Sequence, residues 1–237
     1  MSTSSPQPQI NQERFRITLS QMHHFNTLPD EAHGVMAEAA MTQHFDAGQI
    51  IYLEGEPADF VYILEQGWVK GSRITPEGRE QGLLFLHPVE IFGDVAVFTG
   101  TAYPCTTTAL DSVETWRLPS EFFLSLVKRY PDLALAIIRK LSERVEYYIR
   151  LVEDLSLRSV EARLASTLLR NAELRNEQLI VPRREWTTFD EMAVRLGTVR
   201  DVLSRAVKTL ETEGYIKVEK QTIVILDPNG LSERANR

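Results

Sequence analysis

The sequence predicts an α+β protein in which a glycine-rich β domain and a C-terminal helical domain are joined by one long helix. Three observations carry this prediction. Eight of the twelve glycines lie between residues 44 and 118, among short apolar runs. A heptad pattern of apolar residues continues from residue 132 to 156, and two capped helices followed by a hairpin pattern lie after residue 187.

Length and charge support two domains of unlike character. A chain of 237 residues with 43% apolar side chains suits two small domains, each with its own core. The net charge is −7, but residues 1–157 carry 12 basic and 21 acidic side chains, whereas residues 158–237 carry 14 and 12. The acidic surplus therefore lies in the first part, and the second part can present a basic face to nucleic acid.

Composition also excludes several classes of protein. No apolar run approaches the eighteen or so residues that span a membrane, and the first residues, MSTSSPQPQINQ, lack the features of a signal peptide. Their Ser, Pro and Gln content predicts a disordered tail over residues 1–18. A single cysteine, Cys105, excludes an intrachain disulfide and an iron–sulfur cluster held by one chain. We therefore expect a cytoplasmic protein with no membrane partner.

Residues 19–131 are predicted to form the first domain, which opens with an amphipathic helix near Leu28–Met41. Its short apolar runs alternate with turn signals, which predicts an antiparallel sandwich or jelly roll. These runs are Ile50–Leu53, Phe60–Leu64, Leu83–Leu86 and Val95–Phe98. Thr75–Gly78 is the expected tip of a hairpin, and Ser120–Tyr130 is a predicted short helix capped by Ser120.

Residues 132–157 are predicted to form one helix roughly 37 Å long. Its apolar side chains alternate between spacings of four and three residues, with β-branched residues at one set of positions and mostly leucine at the other. That division favours a parallel two-stranded coiled coil; the alternative is a core helix packed within its own domain. The predicted dimer seam consists of Ala134, Ile138, Leu141, Val145, Tyr148, Val152 and Leu155.

Residues 158–237 contain a helix-turn-helix pattern. Helix Val160–Ala172 and strand Leu179–Pro182 are predicted to precede it. The capping boxes Thr188-x-x-Glu191 and Thr198-x-x-Asp201 then each start a helix, and Gly197 ends the first of them. Tyr215–Val218 and Thr222–Leu226 are predicted to follow as a hairpin, or wing.

The second of these helices, residues 199–213, carries charged and hydroxyl side chains along one face of its first two turns. Arginine can bond guanine bidentately, aspartate can accept from cytosine N4, and serine can reach a base or a phosphate. The candidate base-reading residues are Arg200, Asp201, Ser204 and Arg205, and the candidate phosphate contacts are Arg195, Thr198 and Lys208. The alternative is a solvated face with an Asp201–Arg205 ion pair.

Three segments resemble the cyclic-AMP receptor protein / fumarate-nitrate-reduction regulator (Crp/Fnr) superfamily. They are YLEGEPADFVYILEQGWVKGSRITPEGRE (52–80), FGDVAVF (92–98) and TFDEMAVRLGTVRDVLSRAVKTLETEGYI (188–216), and the resemblance covers about residues 25–228. It implies an N-terminal cyclic-nucleotide-binding-type β-roll, a long dimerisation helix and a C-terminal winged helix-turn-helix. It also implies a transcriptional regulator whose partners are double-stranded DNA, a second copy of the chain and RNA polymerase.

The resemblance also implies roles for individual residues of the second helix. Arg200, Asp201 and Arg205 match the family's base-reading Arg, Glu and Arg, although Asp201 is one methylene shorter than Glu. Ser204 matches the serine of the oxygen-sensing branch. The resulting hypothesis is a homodimer that places two Arg200–Lys208 helices in successive major grooves about 34 Å apart, on a palindromic site.

The sensor pocket departs from the family's pattern. In the family's cyclic-AMP binders a Glu holds the ribose and an Arg-Ser or Arg-Thr pair holds the phosphate, and these positions fall on Asp94, Pro104 and Cys105. No Lys or Arg occurs between Arg79 and Arg117, and a buried phosphate without a cation is costly. The family's adenine-contacting Thr-Ser pair aligns with Tyr148 and Ile149, so control by cyclic AMP is not expected. The degenerate pocket comprises Gly93, Asp94, Val95, Ala96, Pro104, Cys105, Thr106 and Tyr148.

The effector and any cofactor stay open at this point, and no metal is assigned. The alternatives are a redox switch at Cys105, a haem ligand among the histidines, residual cyclic-nucleotide control and a ligand-free regulator controlled by abundance. The histidines are His23, His24, His33, His44 and His87. A further class is a pure cyclic-nucleotide-binding protein that controls a partner protein. The predicted winged helix makes such a partner superfluous, because the chain would bind DNA itself. An enzyme is not expected, because His-x-His and other catalytic motifs do not occur.

Overall fold

The computed structural model describes residues 6–26, 28–184 and 187–236. Its helices are α1 (Pro6–Gln21), α2 (Asp30–Ala39), α3 (Asp94–Thr99), α4 (Ser120–Arg129), α5 (Pro131–Leu157), α6 (Val160–Arg170), α7 (Phe189–Leu196), α8 (Arg200–Thr212) and α9 (Pro228–Ala235). Its strands are β1 (Met41–Phe45), β2 (Ile50–Tyr52), β3 (Phe60–Gln66), β4 (Val69–Ile74), β5 (Glu80–Leu86), β6 (Glu90–Phe92), β7 (Thr106–Ala109), β8 (Val113–Pro119), β9 (Glu173–Arg175), β10 (Gln178–Pro182), β11 (Ile216–Val218) and β12 (Thr222–Ile225).

Two four-stranded sheets, in the orders β1-β8-β3-β6 and β2-β7-β4-β5, form the β domain. Strand β3 pairs antiparallel with both β8 and β6, and β7 pairs antiparallel with both β2 and β4. Apolar side chains such as Val61, Ile63 and Trp116 alternate into a buried core. The predicted jelly-roll type of domain is therefore confirmed, and so is the hairpin tip, where Gly78 adopts φ +82°.

The N-terminal segment differs from its prediction. Residues 1–5 lie outside the described part, but α1 begins at Pro6, so the disordered tail predicted for residues 1–18 is wrong over most of its length. Phe15 and Leu19 are fully buried, and the Phe15 ring meets Trp116 edge-on at 5.2 Å between centroids. Phe15 and Leu19 lie on one face of α1, and Met22, directly after the helix, is buried with them. The Ser, Pro and Gln content of the first residues concealed this pattern.

Two smaller expectations in the β domain are also wrong. The apolar run Val95–Phe98 belongs to helix α3 rather than to a strand. Glycines in the left-handed conformation flank α3, with φ +76° at Gly93 and φ +65° at Gly100. They begin and end this short helix between two strands. Ser120 is the first residue of α4 and not its cap, since its hydroxyl donates to the Ala58 carbonyl.

The predicted long helix is confirmed as α5. Its first turns bury Leu133, Ala136 and Ile137 in the core of the β domain. The chain divides into two compact units, residues 1–73 with 83–145 and residues 74–82 with 146–237, so α5 contributes to both. The domain boundaries drawn from the sequence at residues 131 and 158 stay predictions.

The second unit contains α6 to α9 and a four-stranded sheet in the order β11-β12-β10-β9. Ser159 caps α6 by accepting a hydrogen bond from the Ala162 N–H. The predicted wing is present as the antiparallel pair β11 and β12. Helix α9 was not predicted; Asp227 caps it, and its residue Leu231 is fully buried in the core of this unit.

Truncating Phe15 to alanine tests the role of α1. We expect Phe15→Ala to lower the free energy of unfolding by about 3–5 kcal/mol, because it empties space beneath Trp116. The matched control is Ile17→Ala, whose side chain is exposed, and we expect a change within about 0.5 kcal/mol there. Urea denaturation measures both, and equal stabilities of the two variants would contradict the packing described for α1.

Candidate nucleic-acid interface and sensor pocket

The turn between α7 and α8 is fixed by local geometry. The Thr188 hydroxyl caps α7 by accepting a hydrogen bond from the Glu191 N–H at 3.2 Å, as the first capping box predicts. Gly197 ends α7 at φ +63°, and a Cβ at this position would lie 2.4 Å from Leu155 Cδ2 and 2.7 Å from Gln81 Oε1. Both the conformation and the close approach therefore require glycine.

The start of α8 lies one residue later than the sequence predicts. Val199 is the cap residue, and its side chain has no acceptor, so the second capping box, with Thr198 as the cap, is wrong. The Thr198 N–H instead donates to the Ala193 carbonyl at 2.9 Å, which ties the turn back to α7. Asp201 in the first turn of α8 still complements the helix dipole.

Helix α8 has one buried and one exposed face. The buried face carries Leu203, Ala206, Val207 and Leu210, which lie in the core of the second unit. The exposed face carries five of the predicted DNA-contacting residues. They are Arg200, Asp201, Ser204, Arg205 and Lys208.

Arg200 and Arg205 on this exposed face make only weak contacts within the chain, so DNA could replace these contacts. Arg200 Nη1 lies 3.1 Å from Asp190 Oδ2, but both side chains are about two-thirds exposed, where an ion pair contributes little stability. Arg205 Nε donates to the backbone carbonyl of Asp201 at 3.4 Å, rather than to the Asp201 carboxylate. The arginine side chains can therefore reorient towards another acceptor at small cost.

Two of the predicted phosphate contacts lie off this face. Thr198 is half-buried in the turn. Arg195 is half-buried on α7, and burial lowers the pKa of its guanidinium, which the neighbouring Tyr147 partly offsets. Arg195 lines a cavity formed with α5 and α6, so we leave it out of the candidate DNA interface.

Gly93 and Asp94 lie at the start of α3, inside the β domain. A Cβ on Gly93 would lie 3.1 Å from the Phe60 carbonyl oxygen and 3.3 Å from the rings of Tyr62 and Tyr103. Asp94 is 1% exposed. The chain is thus packed tightly at the position that the family resemblance assigns to ligand contact.

A residue that sequence analysis missed, Arg144 of α5, neutralises Asp94. Its Nη1 donates to Asp94 Oδ1 at 2.9 Å, and its Nη2 donates to the Ile91 carbonyl at 2.7 Å. Residues 80–116 contain no Lys or Arg, and the cation that pairs with Asp94 comes from fifty residues later in the chain. A buried carboxylate requires a cation, so the absence of one near Asp94 in the sequence was the signal that a distant element supplies it.

Aromatic side chains fill the space next to Asp94. Tyr52 stacks on Tyr103 with ring centroids 3.8 Å apart, and Tyr62 stacks on Phe92 at 5.1 Å. All four are buried, and the Tyr103 hydroxyl donates to the Phe60 carbonyl at 2.7 Å. Four stacked aromatic side chains therefore belong to the interior of the β domain.

The remaining predicted pocket residues differ in exposure. Ala96 and Cys105 are buried, Pro104 and Val95 are exposed, and Thr106 is half-buried. The Thr106 hydroxyl accepts a hydrogen bond from the Glu54 N–H at 3.1 Å. Burial raises the pKa of the Cys105 thiol, which disfavours the reactive thiolate. Tyr148 belongs to the second unit, where its ring meets Tyr147 edge-on.

The predicted dimer seam divides into two sets of side chains. Ile138, Val145 and Val152 are 57%, 57% and 62% exposed. Ala134, Leu141, Tyr148 and Leu155 are half-buried against their own chain. Two apolar residues that the prediction omitted, Leu135 and Ile149, are 50% and 62% exposed. The exposed stripe thus follows positions 135, 138, 145, 149 and 152, which is rotated from the predicted seam.

Comparison with known proteins agrees with this architecture. Residues 42–130 match the family model of the cyclic nucleotide-binding domain, and residues 162–234 match that of the Crp-like helix-turn-helix domain. The transcriptional regulator SdrP of Thermus thermophilus is 30% identical, over 84% of this chain and 96% of that protein. A CRP-like cAMP-activated global transcriptional regulator of Mycobacterium tuberculosis is 28% identical, over 84% and 92%.

A solved structure is similar as well. A transcriptional regulator of the CRP/FNR family from Thermus thermophilus matches with a TM-score of 0.64 and 28% identity, over 83% of this chain and 99% of that one. The fold and the α7–α8 motif define a transcriptional regulator with a helix-turn-helix DNA-binding domain. The chain belongs to the Crp/Fnr family.

Metal clusters and membrane-spanning helices are both absent from residues 6–26, 28–184 and 187–236. No group of three or more His, Cys, Asp or Glu side chains there is placed to hold a metal ion. No helix there is long and apolar enough to cross a membrane.

Removing the cation at Asp94 tests the buried pair. We expect Arg144→Met to lower the free energy of unfolding by about 3–5 kcal/mol, because it leaves a buried carboxylate without a partner. The double variant Asp94→Asn/Arg144→Met should recover most of that loss. The control is Arg175→Met, which breaks an exposed ion pair with Glu173 and should cost at most about 1 kcal/mol. Denaturation showing equal losses for Arg144→Met and Arg175→Met would refute the pairing.

Proposed function

We propose that this regulator binds a palindromic DNA site as a homodimer, reads bases through α8 and does not respond to cyclic AMP. The exposed face of α8 is the observation that carries the proposal. Arg200, Asp201, Ser204 and Arg205 project from its first two turns, where a recognition helix meets base edges. Lys208, one turn further, supplies a phosphate contact.

The exposed stripe of α5 supports the dimer. Leu135, Ile138, Val145, Ile149 and Val152 follow spacings of three, seven, four and three residues, as in a coiled-coil seam in which Ser142 fills the intervening position. Contiguous exposed apolar side chains mark an interaction surface. A second copy of the same helix is the partner that a heptad stripe fits, and a two-fold dimer matches a palindrome.

The sensor pocket supports independence from cyclic AMP. A cyclic phosphate needs a cation, and Arg144, which lies beside Asp94, already donates to Asp94 and to the Ile91 carbonyl. The buried stack of Tyr52 and Tyr103 occupies the space beside that pair. The relative in M. tuberculosis is described as cAMP-activated, so this pocket marks a difference within the family.

One observation favours a second candidate, a regulator gated by another small molecule. Asp94 Oδ2 is buried and has no hydrogen-bond partner among the residues that the structure describes. Such an oxygen can accept a hydrogen bond from a ligand hydroxyl. A redox-gated regulator is less well supported because Cys105 is buried. Both candidates would act, like the first, in the cytoplasm on promoter DNA, with RNA polymerase as the further partner.

Substitution of Arg205 tests base reading by α8. On an operator selected from random DNA, we expect Arg205→Ala to cost about 1–3 kcal/mol of binding free energy and to relax the preference at one base position. Arg175→Ala, on the β9–β10 hairpin, serves as the control and should leave both unchanged. The assignment is wrong if gel shifts show Arg205→Ala binding every sequence as tightly as the wild type.

Titration with cyclic AMP tests the sensor pocket. We expect no saturable heat in calorimetry at concentrations up to about 1 mM, and no change in the affinity for the selected operator. The same protein sample should bind the operator, which shows that it is active. Micromolar binding of cyclic AMP together with tighter operator association would overturn this part of the proposal.

A further inference from the structure

Asp190 in the first turn of α7 contacts Arg200, the first residue of α8. Arg200 Nη1 donates a hydrogen bond to Asp190 Oδ2 at 3.1 Å. The contact joins the N-terminal turns of the two helices of the motif. Because Arg200 is a candidate base-reading residue, Asp190 sets where that guanidinium lies before DNA is bound.

The contact contributes little to the stability of the free protein. Both side chains are about two-thirds exposed, and an ion pair in water is weak. Glu191 is a second acid in the first turn of α7, so the helix dipole is complemented even without Asp190. What distinguishes Asp190 is therefore its place beside a base-reading side chain.

The contact uses one end of the Arg200 guanidinium. Arginine carries five N–H donors in a planar fork, and the Asp190 carboxylate accepts from Nη1. Nε and Nη2 of Arg200 have no hydrogen-bond partner within the described ranges. These two atoms form an edge that can donate two parallel hydrogen bonds to a pair of acceptors. Guanine presents such a pair in the major groove, O6 and N7, whereas adenine presents one acceptor and one donor.

We propose that Asp190 is a positioning residue that holds Nη1 of Arg200 and directs its Nε–Nη2 edge to guanine. This inference rests on the proposed reading of bases by α8. A guanidinium that is already held at one end loses less conformational freedom when it binds. Two parallel hydrogen bonds to O6 and N7 then require one orientation of the fork. Asp190 thus determines which base Arg200 prefers, although it touches no base itself.

Binding of DNA strengthens the contact between the two side chains. When DNA covers them, water is displaced and their attraction increases, because the local dielectric constant falls. If Arg200 moved to a phosphate instead, the Asp190 carboxylate would be left unpaired beside the negatively charged backbone. Like charges brought together oppose binding, which suppresses the wrong partner. The pair therefore favours a guanine contact over a phosphate contact for Arg200.

A double-mutant cycle with the full-length chain tests the proposal. Competition gel shifts compare an operator selected from random DNA with copies in which each guanine of one half-site in turn is replaced by adenine. We expect Arg200→Ala to lower the preference for guanine at one position by about five- to a hundredfold, the value of one bidentate pair. Asp190→Ala should lower the preference at the same position by at least about threefold, and leave the other positions unchanged. Its effect on the preference should vanish when Arg200→Ala is already present.

Two controls accompany the cycle. Glu173→Ala breaks an exposed ion pair with Arg175 outside the motif, and should keep the wild-type preference at every position. Thermal unfolding checks that Asp190→Ala folds. If it does not fold, Asp190→Asn, which keeps the shape of the side chain and removes its charge, replaces it in the cycle.

The outcomes separate this inference from the proposed function of α8. The inference is overturned if Asp190→Ala keeps the full preference at the Arg200 position, weakens binding to all sequences equally, or acts with equal strength when Arg200 is alanine. It is also overturned if Arg200→Ala relaxes the preference for a base other than guanine. In each of these cases the proposed function still stands when Arg205→Ala relaxes its own position. If the wild type selects no sequence, both the proposed function and this inference are wrong.

Discussion

The apolar stripe on the exposed side of α5 is the constraint on which the proposed assembly depends. Full burial of each large apolar side chain stabilises by about 1.5–3 kcal/mol. Burial of the five half-exposed side chains of the stripe in an interface would therefore stabilise an assembly. The opposite side of the same helix is already occupied, because Leu133, Ala136 and Ile137 lie in the core of the β domain. Pairing along α5 therefore satisfies the side of the helix that its own chain leaves in water.

The same helix also supplies a charge to the interior of the β domain. Arg144 donates a hydrogen bond to the carboxylate of Asp94. One long helix thus carries the stripe of the proposed dimer and the cation that pairs with Asp94.

The proposal for the sensor pocket combines a retained fold with a changed ligand chemistry. Gly93 and the short helix α3 retain the backbone of a cyclic nucleotide-binding domain. The carboxylate that follows is neutralised from within the chain, and stacked tyrosines fill the adjacent space. The cation and the aromatic rings that the protein itself supplies are the basis of the proposal that the domain does not respond to cyclic AMP.

Much of this could be predicted from local sequence patterns. The heptad spacing identified α5, the Thr188 capping box and Gly197 identified α7, and clustered glycines identified the β domain. Local patterns did not reveal α1, whose helical face becomes apolar only after the polar start of the chain. They also missed Arg144, because its role is set by a carboxylate fifty residues earlier. Nor could they show which side of α5 stays exposed, since tertiary packing decides that.

Operator spacing tests the central claim most directly, because it measures whether two α8 helices act as a rigid symmetric pair. Gel shifts would compare a selected palindrome, with half-site centres about 34 Å apart, against the same DNA carrying a five-base-pair insertion at its centre. The account predicts that the insertion weakens binding by about a hundredfold or more, since one half-site turns to the far side of the duplex and its contacts are lost. Equal affinity for both DNAs, or for an isolated half-site, would contradict it.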